Sequence, residues 1–295
     1  MVVREPYAGK LARTVLRGRY HRKMVSLPSE LRHCALAAFV MTDPVEKAAA
    51  VQAIWDQSES LPIALQNVLV APAQPGRPSK PELVQAQNVP RRSPFTPVGL
   101  AALLHAIAHI EFNAINLALD AVWRFADLPE QYYRDWIRVA AEEANHFTLL
   151  RTHLLSTGYE YGDFPAHDGL WTMCESTRDD VVARMALVPR TLEARGLDAT
   201  PVIQEKLAKV GTANARDASA ILDVILREEV GHVAIGNHWF HWLCRRDALD
   251  PDIFYAQVAT RHGAPKLKPP FNLEARRKAG FTDAEIQGLQ HVASQ

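Results

Sequence analysis

Only three cysteines occur in 295 residues: Cys34, Cys174 and Cys244 stand far apart, with no CxxC pair. An odd count without paired spacing argues against a disulfide scaffold, a zinc ribbon or a thiolate-held iron–sulfur cluster, and fits a reducing compartment. Net charge is missing too, with 33 basic residues against 33 acidic. That balance argues against a broad nucleic-acid surface but leaves room for a local basic patch. No run approaches the roughly 18 apolar residues of a membrane span; the stretch CALAAFV is only seven long. The basic residues Arg4, Lys10, Arg13, Arg17 and Arg19 are followed by no apolar signal segment. A soluble, cytoplasmic chain is the expectation. The alternating pattern of half-buried strands is absent apart from a few short apolar runs, and no tandem repeat is evident.

What is present is helical. TDPVEKAAAVQAIWDQ opens with Asp43 as cap, Pro44 at the first helical position and Glu46 to close a capping box. From Leu61 to Phe95 seven prolines forbid a long helix. Ile63, Leu65, Val68, Leu69 and Val70 give this segment something to bury, so it is expected to be an ordered strap. Thr96-Pro97 then starts a helix of about 28 residues, and Pro129 opens another that ends at Gly158. A third is expected over Thr177–Arg195, kinked by Pro189 and stopped by Gly196, with a short helix from Pro201 to about Val210. A fourth long helix spans about Asn214–Arg245. A short one near Ile253–Arg261 follows, then a last helix capped by Thr282 with Glu285. The expected architecture is all-α. It comprises an N-terminal helical segment and Pro-rich strap (1–95), a four-helix bundle (96–246) and a C-terminal extension of short helices (247–295).

Chemistry enters with the segment ILREEVGHVAIG. Glu229 and His232 are three residues apart and lean to one side of a helix. Glu143 and His146 repeat that spacing in the second long helix, Glu111 lies on an apolar face of the first, and Glu193 is in the third. A Glu from each of two helices and E-x-x-H from each of two others is the ligand set of a carboxylate-bridged two-metal site inside a bundle. Two divalent ions about 3.5–4 Å apart need bridging anions; Glu143 and Glu229 are the candidates, with Glu111 and Glu193 terminal and one histidine nitrogen for each ion. Four carboxylates balance two dications, and the mixed nitrogen and oxygen donors suit two iron ions, with manganese or zinc as alternatives. Glu205 is the substitute for Glu193. In the doublets Glu142-Glu143 and Glu228-Glu229 only the second Glu has the histidine at i+3. The first is turned about 100° away and is either solvated or supports a ligand.

Other candidates to support the site or line its pocket are His105, His109, Asp223, Tyr159, His167, Asp168 and Trp171. The last four belong to the loop YEYGDFPAHDGLW, which is expected to cover the mouth of the site. Arg184 and Arg190 are candidates to pair with carboxylates. No catalytic residue is singled out beyond these.

In several long stretches the chain resembles a bacterial family known as domain of unknown function 455 (DUF455), placed in the ferritin-like superfamily. The stretches are PGRPSKPELV, LLHAIAHIEFNAINLALD, EEANHFTLL, YGDFPAHDGLW, VPRTLEARGLDATP, EEVGHVAIGNHWF and PPFNLEARRKAGF, from Pro75 to Phe281, with a looser likeness back to Thr42. The resemblance implies a ferritin-like bundle and the same six ligands. It also implies a distant similarity to the tRNA hydroxylase of that superfamily, which acts on a modified adenosine.

The expected function is that of a di-iron carboxylate protein, an oxygen-activating oxidoreductase of hydroxylase or oxygenase type. Alternatives are a non-enzymatic metal-binding or storage protein, a tRNA-modifying hydroxylase and a manganese-dependent enzyme. Expected partners are a small-molecule substrate or O2, an electron-donor protein and a second copy of the chain, with no membrane.

Overall fold

The computed structural model describes residues 29–70 and 74–293, so the five basic N-terminal positions and Pro72 of the strap lie outside the described residues. Among the described residues the fold is all-α without strands; one isolated β-bridge joins Leu83 to Ala166. In chain order the helices are α1 (Leu31–Phe39), α2 (Pro44–Gln57), α3 (Pro97–Arg124), α4 (Glu130–Ser156), α5 (Gly169–Ser176), α6 (Val181–Leu187), α7 (Ala194–Val210), α8 (Ala213–Arg246), α9 (Pro251–Arg261), α10 (Leu273–Lys278) and α11 (Asp283–Ala293). A π-helical turn, Val188–Glu193, joins α6 to α7. The helices α1, α5 and α10 are additions to the sequence expectation.

Helix α3 is the central element. It is long and apolar enough by composition to cross a membrane, but 67% of its most apolar window is buried inside the protein. Thr96 caps it by accepting the Gly99 N–H at 3.1 Å, with Pro97 in the first turn. At the other end the buried guanidinium of Arg32 donates to the carbonyls of Val122 and Trp123, which have no partner within the helix. Residues 125–129 are a short connector, so α4 returns antiparallel beside α3. Helix α8 packs against α4 on one side and against α6, the π turn and α7 on the other. Together these four rods enclose one hydrophobic core, with α1 and α2 laid against α3 and α4.

The third rod differs from its expected form. Its first α-helical turn is capped by Asp180, which accepts the Ala183 N–H at 2.9 Å, and the rod runs through Gly196 and both prolines to Val210. Pro189 has no N–H and its ring crowds the preceding turn; the chain answers with the π turn, and the Thr191 hydroxyl donates to the Ala186 carbonyl at 2.8 Å. Gly236 on α8 makes room for the displaced ring, since a Cβ there would lie 2.4 Å from Pro189 Cβ. Pro201 removes the donor that Leu197 O would receive, and the Asn272 side-chain amide supplies one at 3.2 Å. Gly196 keeps ordinary helical geometry and stops nothing.

The described parts of the strap are ordered, but not by all the residues expected to bury. Ile63, Leu65 and Leu69 pack on the core, whereas Val68 and Val70 are 81% and 91% exposed. Backbone bonds and buried cations do the holding. Arg32 donates at 2.7 Å to both Ala64 O and Asn67 O. The Lys47 ammonium donates to Phe39 O at 3.1 Å, to Gly76 O at 2.8 Å and to Asn116 Oδ1. Gly76 sits so close to Val40 O that any Cβ would be 2.1 Å from it. Farther along, the Val84 N–H donates to Ala166 O at 2.8 Å and the Ala166 N–H to Glu82 O at 2.9 Å, which ties the strap to the 159–168 loop.

Candidate metal centre

Each rod contributes to one buried cluster. Glu111 comes from α3, Glu143 and His146 from α4, Glu193 from the end of the π turn, and Glu229 and His232 from α8. One donor atom each from Glu111, Glu143, His146 and Glu229 lies within 4.8 Å of the others, a grouping able to hold a metal ion. His146 Nδ1 is 3.2 Å from Glu143 and 3.4 Å from Glu111, and His232 Nδ1 is 2.9 Å from Glu143 and 3.8 Å from Glu229. Glu193 is buried beside the others with no hydrogen bond to either carboxylate oxygen. Glu205, on α7, is exposed.

The leading glutamates of the doublets are half-buried, and each reaches a histidine of the cluster. His146 Nε2 donates to Glu228 on α8 at 2.9 Å, and His232 Nε2 donates to Glu142 on α4 at 2.7 Å. The support is therefore crossed: each E-E-x-x-H segment sends its second Glu to the cluster and its first to the other helix's histidine. A carboxylate can only accept, so Nε2 carries the hydrogen and Nδ1 turns its lone pair inward when the ring is neutral. The sequence signal was the doublet itself, repeated at the same offset from a histidine. What it lacked was the distance between α4 and α8.

The electrostatics describe a cluster missing positive charge. Burial, with the neighbouring Glu143 charge added, raises the Glu111 and Glu229 carboxyls; burial with the Glu229 and Glu143 charges does the same for Glu193. Burial opposes ionisation of Glu143 as well, but the His232 charge, the His146 hydrogen bond and the close approach of His232 outweigh it and lower its pKa. Burial opposes protonation of the two imidazoles, yet their contacts with the carboxylates raise both. Protons thus supply the charge that a cation would bring. Even so, Glu111 Oε2, Glu143 Oε1, both oxygens of Glu193, Glu229 Oε2 and His232 Nδ1 are buried without hydrogen-bond partners. Buried polar atoms are ordinarily satisfied, and so many orphans around one point fit a cation-binding set of mixed oxygen and nitrogen donors.

Above Glu111, Glu193 and Glu229 opens a cavity of about 640 Å³. Its walls include Ile107, Ile110, Leu192, Leu222 and Ile225, and its rim carries His167 from the loop and His262, Gly263 and Pro265 from the C-terminal segment. The other sequence candidates lie off this path. Tyr159 stacks near Phe164, and Trp171 is buried against Phe39. Asp168 pairs with Arg77 at 2.7 Å. Asp223 is exposed and accepts from Gln204 at 2.6 Å. His105 accepts the Gly162 N–H at 2.8 Å, and His109 lies 2.9 Å from the Tyr161 hydroxyl, so both secure the loop. Arg184 pairs with buried Asp120, and Arg190 with Glu285.

Residues 40–287 match the family model described as "Protein of unknown function (DUF455)". An uncharacterized protein of Haemophilus influenzae (strain ATCC 51907 / DSM 11121 / KW20 / Rd) is 50% identical over 224 residues, covering 73% of this chain and 76% of that relative. No solved structure matches significantly.

Proposed function

The chain belongs to the DUF455 family, and we propose that it is a di-iron carboxylate oxidoreductase that uses O2 on a small organic substrate. The orphaned buried donors of Glu111, Glu143, Glu193, Glu229 and His232 carry this proposal. With His146 they would hold two ions, Glu143 and Glu229 between them. Two iron ions would supply the electrons and the Lewis acidity that O2 reduction needs. The chain's own residues do the rest. Glu228 and Glu142 hold the imidazoles in the tautomer that turns Nδ1 inward. The apolar walls of the cavity exclude water and leave an approach from the side of Glu111, Glu193 and Glu229.

In this proposal segment 96–246 is the metal-bearing bundle, 1–95 braces it with the strap, and 247–295 completes the rim. A cytoplasmic location and an electron-donor protein belong to the same proposal. The test is elemental analysis of anaerobically prepared protein followed by O2 consumption with ferrous ion. Two irons per chain and uptake of O2 are expected. Two tightly held zinc ions with no redox response would refute the proposal.

A further inference from the structure

The cavity beside the cluster does not end at its rim. A second cavity of about 670 Å³ shares Arg195, Ala199, Ile203 and Pro265 with it. The two differ in character. The inner one is walled mainly by apolar side chains of α3, α5, α7 and α8, with a few hydroxyls among them, and floored by carboxylates. The outer one is bordered by Arg195, Lys206, Lys266 and Lys268, from α7 and the segment after α9. Among the described residues none of these four cations forms an ion pair. The one acid on this border, Asp198, is already matched by Arg276, which approaches at 2.6 Å. The APKLKPP segment supplies two of the lysines, a local basic stretch within a chain of zero net charge.

We propose that the two cavities form one site for an amphiphile. Its apolar chain lies in the inner cavity, and its anionic head, a carboxylate or a phosphate, is held by Arg195, Lys206, Lys266 and Lys268. The polarity fixes the direction. An anion at the floor would face Glu111, Glu193 and Glu229, whereas at the outer end it meets four unmatched cations beside an Asp198 already paired with Arg276. An aliphatic wall gains by covering apolar surface and has little to offer a polar ligand. The combined space is within the range of pockets that enclose most of a small ligand. That the buried end lies beside metal ions rests on the function proposed above; the binding itself does not.

Calorimetric titration of the full chain tests this, both metal-stripped and after loading with ferrous ion under anaerobic conditions. The probes are decanoate, monodecyl phosphate, decan-1-ol and decyltrimethylammonium, each below its aggregation concentration. One equivalent of an anionic probe should bind to the stripped protein, more tightly than the alcohol, with the ammonium probe weakest. Comparison of the two anions separates a carboxylate head from a phosphate head. The double variant K266E/K268E alters exposed side chains, so folding should survive. It should weaken the anionic probe by about tenfold, as attractive surface pairs become repulsive ones, and leave decan-1-ol unchanged. Equal affinity for alcohol and anion with no effect of the double variant would overturn the proposal, as would failure of every probe to bind. Iron uptake without probe binding would sink the amphiphile and leave the metal centre standing. Probe binding without iron uptake would do the reverse.

Discussion

His105 shows how one proton controls a contact far from its own helix. Burial pulls its pKa down to about 4, and Nε2 must stay unprotonated to accept the Gly162 N–H. The unfolded chain, with an ordinary imidazole near 6.5, takes up a proton first as the medium is acidified. Stability at this group is therefore intact above that value and declines between about 6.5 and about 4. The protection factor of the Gly162 amide, its exchange rate relative to an unstructured amide at the same pH, should fall as the pH drops through that window, and His105→Leu should remove that pH-linked loss. The acidic partners of His146 and His232 make a second test. Glu228→Gln should keep the fold, because the side chain is partly exposed, but weaken metal binding by about 10- to 100-fold as the His146 ring loses its carboxylate acceptor. Unchanged affinity in a competition titration would assign Glu228 to the surface. Glu111, Glu143, His146 and Glu229 were legible in the sequence because helical spacing fixes the direction of a side chain. The roles of Glu142 and Glu228 were not, because they reach across to a neighbouring helix and no periodicity encodes that distance.

Elements were read best where their ends carry local chemistry. The start of α3 at Thr96-Pro97 and the capping box of α11, where the Thr282 N–H donates to Glu285 at 2.7 Å and Glu285 N–H to Thr282 at 3.3 Å, follow from adjacent residues. The third rod was misread because proline and glycine were allowed to decide alone. Partners distant in sequence, Gly236 and Asn272, accommodate the two prolines. The first of these relations predicts an unusual cost for a small change. Gly236→Ala in a helix interior ordinarily gains about 1 kcal/mol. Here the added methyl would meet the Pro189 ring at 2.4 Å, so the sign should reverse, to a loss of about 1–3 kcal/mol by overpacking. Urea unfolding of the variant reads that sign directly.

At the scale of the molecule, the all-α class and the four-rod core were visible in uninterrupted helical patterns. The hold of the strap was less so, because buried Arg32 and Lys47 secure it by donating to backbone carbonyls, which any residue type could provide. In the function proposed, cation binding at the cluster is coupled to the stability of the whole protein. With Glu111, Glu193 and Glu229 all raised, the metal-free protein holds protons that an incoming ion must expel. Loading with ferrous ion in weak buffer at neutral pH should release protons, as an indicator dye would register. It should also raise the unfolding free energy by about 2.7 kcal/mol at a free concentration one hundred times the dissociation constant. Binding without proton release would show that the carboxylates were already ionised.

The π turn at 188–193 has a further implication, for length variation. A turn closed five residues back instead of four is, in register, an α-helix with one residue inserted. It is therefore reversible by the smallest possible deletion. Removing Leu192, a half-buried residue, would let the rod close as continuous α-helix while everything beyond it keeps its facing relative to α6, because the turn had absorbed the extra residue. Glu193 stands at that junction. A frame-preserving loss of a single codon should leave a helical protein, with far-ultraviolet circular dichroism close to the parent. The carboxylate would keep its side of the rod toward Glu143 and Glu229 and metal capacity would persist, whereas the same deletion in the regular helix of α6, where no extra residue is stored, would turn it away by about 100°.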